Sequence, residues 1–64
     1  MPAQWTGTIV GEMHIHGITG KMLADRLGWH PKYLSQVLNS ANPPEKAESK
    51  IRTALDWLIH NQSN

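Results

Sequence analysis

An all-α fold of four short helices is what this sequence predicts, on three observations. Apolar residues recur at helical spacing in four stretches, near 7–16, 19–27, 31–39 and 45–60. Residues suited to helix ends fall between them: Thr19 before the second stretch, Gly28 after it, Pro31 opening the third, Pro43-Pro44 before the fourth. Finally, 64 residues make one domain, 1–64, and the absence of cysteine excludes a disulfide staple and a thiolate metal site. A chain this short buries only about 60% of its unfolded surface, and small unstapled domains often lean on a partner subunit.

The first element reads in two ways. Residues 1–5 look like a loose arm apart from Trp5, whose indole is better suited to anchoring on the core than to serving as a ligand platform. Thr6 offers an N-cap, and Ile9, Val10 and Met13 make a tight apolar face for a helix running to about His16. Ile9, Gly11, Met13 and Ile15 also alternate as in a strand, and Gly7 and Gly11 weaken either reading. Gly17-Ile18 is then the connection, with Ile18 turned inward.

The second and third elements form a pair. Leu23, Ala24 and Leu27 share one face, Thr19 can accept from the first-turn amides, and Gly28 suits the left-handed residue that ends a helix. Trp29-His30-Pro31 restarts the pattern, because Pro31 fits a first helical position where no amide donor is needed. Leu34, Val37 and Leu38 lie on one side of this next helix, and Lys32, Ser35, Gln36 and Asn39 lie on the other at i, i+3, i+4 and i+7. That second side carries a cation, a hydroxyl and two amides but no carboxylate. Such side chains pair with base edges, although an ordinary solvated face has a similar composition. Thr19, Gly20 and Lys21 open a helix whose free amides and positive end suit a phosphate. Tyr33 flanks the stripe, with its hydroxyl placed either for a phosphate or for packing on the preceding helix.

Ser40–Pro44 is a turn by composition, and Pro44 or Glu45 begins the last helix, with Glu45 and Glu48 near its positive end. Ala47, Ile51, Ala54 and Leu58 form its core stripe, while Glu48–Arg52 and Arg52–Asp56 are i,i+4 pairs on the wet side. Leu55 and Ile59 on one flank, and Trp57 with the Lys50 stem on the other, widen the apolar arc to roughly 200°, where one buried face needs roughly 100°. Either Trp5 and Trp29 cover this surplus within the chain, or Leu55, Trp57 and Ile59 form a self-complementary dimer contact. His60–Asn64 reads as a frayed polar end.

Leu23-Ala24, Gly28, Trp29, His30 and Leu34, closed by Asn39, resemble the helix-turn-helix of phage Cro/repressor-type regulators, the XRE-like family. Over about twenty residues the spacing matches that family's: Leu-Ala, three residues, Gly, an apolar residue, a polar cap, and an apolar residue five beyond the one after Gly. The resemblance implies a lambda-repressor-like domain in which the first stretch is a helix and the helix 31–39 enters a major groove. Lys32, Ser35, Gln36 and Asn39 would then read bases, and Thr19, Gly20, Lys21, His30 and Tyr33 would contact phosphates. It further implies a regulator, such as a repressor of a phage or mobile-element operon, that acts as a homodimer on a palindromic operator. Antitoxins and regulators associated with anti-CRISPR operons share the fold. No cofactor or small-molecule ligand is implied, since there is no room for a sensor domain. There are two departures from the pattern. Gly20 stands where the family often has a polar phosphate clamp, and His30 replaces the usual Ser or Thr cap, leaving its capping open.

Charge permits DNA binding but counts against a strong non-specific grip. The net charge is +1, with Lys21, Arg26 and Lys32 against Asp25 inside 19–39. Nothing at the start resembles a signal peptide, and no apolar run approaches the roughly 20 residues of a membrane span, so the cytoplasm of a bacterium or phage-infected host is expected. His14 and His16, two apart on a helix, point about 200° away from each other and cannot share a metal ion. No nucleophile elbow, phosphate loop or paired carboxylates point to an enzyme. The competing expectation is a protein-interaction module that grips its partner with the helix pair.

Overall fold

In a computed structural model that describes residues 3–61, the chain forms four helices: α1 (Gln4–His16), α2 (Gly20–Leu27), α3 (Pro31–Leu38) and α4 (Ala47–His60). No strand occurs among the described residues, so the helical reading of the first stretch holds over the alternating one. The ends 1–2 and 62–64, part of the expected loose arm and of the expected fray, lie outside the described residues.

Helix α1 starts three residues earlier than the sequence suggested. Thr6 is not its cap. Ala3, extended at φ −62° and ψ 153°, holds that place without a side-chain bond. Thr6 lies inside the first turn, where its amide and hydroxyl both donate to the Ala3 carbonyl, at 3.1 and 2.6 Å. The hydroxyl is thereby satisfied and the residue is buried. The Ala3 amide donates in turn to the Ser40 carbonyl (3.1 Å), tying the start of α1 to the turn after α3.

The helices end by two devices. Helices α1 and α2 close on Gly17 (φ 67°) and Gly28 (φ 75°), whose left-handed backbone lets the next amide reach back five residues: Ile18 to Met13 at 2.8 Å, Trp29 to Ala24 at 2.9 Å. Helices α3 and α4 end on Asn39 and Asn61. Each Asn donates its backbone and side-chain amides to the carbonyl four residues back, Ser35 and Trp57 respectively.

Helix α4 packs against both α1 and α2, while the principal neighbour of α3 is α2. Ile9, Met13, Ile18, Leu23, Ala24, Leu34, Val37, Ala47, Ile51, Ala54 and Leu55 are buried between them. Trp5, Leu27, Trp29, Leu38, Leu58 and Ile59 pack round this core and are partly buried. Leu27, Leu38 and Leu58 were expected wholly inside. Val10, expected on the inner face of α1, is exposed instead. The radius of gyration, 11.0 Å, is what a packed chain of this length has, about 11 Å by scaling. Of the two ion pairs expected along α4, Arg52–Glu48 forms at 2.8 Å, whereas Asp56 pairs with His60 instead, at 3.2 Å. No helix among the described residues is long and apolar enough to cross a membrane.

Candidate nucleic-acid interface

Helix α2, the three-residue turn Gly28-Trp29-His30 and helix α3 present the surface on which the sequence-derived residues fall. Thr19 caps α2: its hydroxyl accepts from the Met22 amide at 3.1 Å, and the Met22 sulfur accepts the Thr19 amide at 3.5 Å. Gly20 and Lys21 are exposed, and their amides, first in the helix, have no helical acceptor. The positive end of α2 is therefore open to an anion at these two residues. A Cβ on Gly20 would meet nothing within 4 Å, so the side chain is missing by composition and not for want of space.

His30 caps α3. Its Nδ1 accepts from the Lys32 amide at 3.0 Å, as a Ser or Thr oxygen would, which places the neutral ring's proton on Nε2. Nε2, the only ring nitrogen left to donate, is then the atom with which His30 could touch a phosphate. Tyr33 packs edge-on against Trp29 in the turn, with centroids 4.9 Å apart and ring planes at 79°. It stays 43% exposed, which leaves its rim in solvent.

The stripe on α3 divides. Lys32, Ser35, Gln36 and Asn39 are all exposed. Ser35 and Asn39 line a notch of about 480 Å³ between α1, the start of α2 and α3, floored by Val10, Leu34 and Leu38. Lys32 and Gln36 lie outside that notch. Asn39 is further set apart, because its side-chain amide is turned back on the Ser35 carbonyl at 2.8 Å. Lys32, Ser35 and Gln36 are thus the free polar ends of the stripe. Lys21 lies across the notch from Ser35.

No family model, curated protein or solved structure matches the chain.

The three residues expected at a dimer contact do not form one patch. Leu55 is 1% exposed and belongs to the core, because α4 is covered on two sides, by α1 and by α2. Ile59 lines a groove between α1 and α4 beside Ile9, and Trp57 lines a separate cleft facing α2. By sequence Arg26 is only one of the charges within 19–39. In the fold its guanidinium lies 3.9 Å from the centroid of the Trp57 ring. Nothing in the local pattern signals this contact, since the two residues are 31 positions apart. Among the described residues, no three His, Asp or Glu side chains come together as a metal site would require.

Proposed function

We propose that this chain is a sequence-specific double-stranded DNA-binding regulator, a small repressor of a phage or mobile-element operon working in the bacterial cytoplasm. Helix α3 would lie in a major groove, with Lys32, Ser35 and Gln36 toward base edges and the opening turn of α2 toward a phosphate. The observation that carries the reading is the acid-free, exposed polar stripe on a capped helix, next to a second helix start with two unsatisfied amides. Lys32 can donate to guanine O6 and N7, and Gln36 can form a two-bond contact with adenine. With a net charge of only +1, affinity per subunit should be low. A symmetric dimer would double the contacts, reading half-sites of a palindromic operator about 34 Å apart.

Selection of bound sequences from a random duplex pool tests this reading. A regulator should return a single preferred site with two-fold symmetry, and its affinity should fall linearly with salt on logarithmic axes. The apolar floor of the notch, Val10, Leu34 and Leu38, favours a second reading, a module that grips another protein there. Recovery of no preferred site, with partner binding indifferent to salt, would support that reading instead.

A further inference from the structure

We propose that the cleft between the end of α2 and α4 is a docking site for an acidic segment of a partner protein, one that carries a bulky apolar side chain beside its carboxylates. The cleft, about 440 Å³, is walled by Trp29 and Trp57 and carries Arg26, Lys50, Ser49 and Thr53. No carboxylate lines it, and neither cation has an ion-pair partner among the described residues. This differs from the neighbouring surface of α4, where Arg52 and His60 are each paired with an acid.

The chemistry of Arg26 indicates the kind of partner. Stacked over Trp57, the guanidinium spends its face on the indole and keeps its N–H edge free, and that edge matches a carboxylate in a two-bond fork. Stacking also restricts the side chain beforehand, so less freedom is lost when an acid arrives. Trp57, 43% exposed, offers apolar surface beside the charge. Tryptophan and arginine are among the residue types enriched where protein contacts hold most of their energy. A second copy of the chain is the poorer occupant: a two-fold axis through the cleft would set Arg26 and Lys50 against the same cations of the other copy. The cleft shares no lining residue with the notch beside α3 and contains none of the residues assigned to DNA, although its wall Trp29 touches Tyr33, so the inference does not depend on DNA binding.

A displayed library of random peptides, selected on the full chain and counter-selected on an Arg26→Ser/Lys50→Ser variant, provides the test. The enriched peptides should carry at least two carboxylates around Leu, Phe or Trp. They should bind the parent chain about tenfold or more tightly than the double variant, as loss of a dominant contact requires. Circular dichroism should show the variant as helical as its parent. Lys50→Glu, a single change at an exposed position, should weaken the same peptides and serves if the double variant is misfolded. Saturating DNA of the preferred sequence should leave peptide affinity unchanged. The proposal fails if selection returns no peptides, returns peptides without acids, or returns peptides that bind the variants as well as the parent. It fails equally if duplex DNA displaces them, which would make the cleft a nucleic-acid contact, or if sedimentation shows a dimer of the parent chain that the Arg26→Ser/Lys50→Ser variant cannot form, which would put a second copy over the cleft.

Discussion

On the proposed DNA-binding function, Gln36 and Lys21 would make the two different kinds of contact, one to a base and one to a phosphate. Gln36→Ala should relax discrimination at one base pair of each half-site, at a cost of about 1–3 kcal/mol, and leave the melting temperature unchanged because the side chain is exposed. Lys21→Ala should instead weaken every sequence alike and flatten the salt slope by about one unit. Measuring both variants against the preferred site and its single-base variants distinguishes these outcomes; equal preference and affinity for Gln36→Ala would reduce the stripe to a solvated face. His30→Ala should cost about 1 kcal/mol in thermal unfolding through loss of the α3 cap, and His30→Ser should restore most of it. The residues of the stripe were legible in the sequence because helical spacing is local. The use of His30 as a cap was not, since either ring nitrogen could have faced the helix. Nor was the retreat of Asn39, whose side-chain amide doubles the backbone bond its own N–H already makes to the Ser35 carbonyl at the end of the helix.

Among the elements, α1 was the hardest to read and α2 the easiest. Thr19 and Gly28 bracket α2 with side-chain and backbone signals that act within four residues, whereas α1 begins on Ala3, which has no polar atom to signal a cap. The apolar residues of α1 are also spread around its circumference: Ile9 and Met13 are buried, and Ile15 is 79% exposed. Gly7 and Gly11 should therefore be replaceable. A Cβ on either meets nothing within 4 Å, and Ala in a helix interior is favoured over Gly by about 1 kcal/mol, so each Gly→Ala change should raise the melting temperature. Gly28→Ala should lower it, because at φ 75° a side chain costs about 1–2 kcal/mol. A melting temperature that rose for all three would contradict the assigned backbone.

For the whole molecule, the four-helix architecture was legible but the depth of its core was not. Helical spacing alone puts Leu55 on the flank of α4, because it gives a helix one buried face. With α1 on one side and α2 on the other, Ala54 and Leu55 are both buried. A domain of this length has about 3–10 kcal/mol of stability. Truncating Leu34 or Ile51 to Ala, at about 2–5 kcal/mol, should use much or all of that margin, which denaturant titration would show as a lost or sharply shifted transition. The arrangement that buries Leu55 also has a kinetic side. Helix α4 holds two neighbours, while α3, eight residues long, rests mainly on α2. A helix that short has little stability of its own in water. Amide hydrogens in the middle of α4 should therefore exchange with solvent slowest, and only through global opening, while those of α3 escape through smaller, more frequent detachments. A duplex lying against α3 would supply the second wall that the fold does not, and its arrival should be visible as a selective slowing of exchange from Lys32 to Leu38.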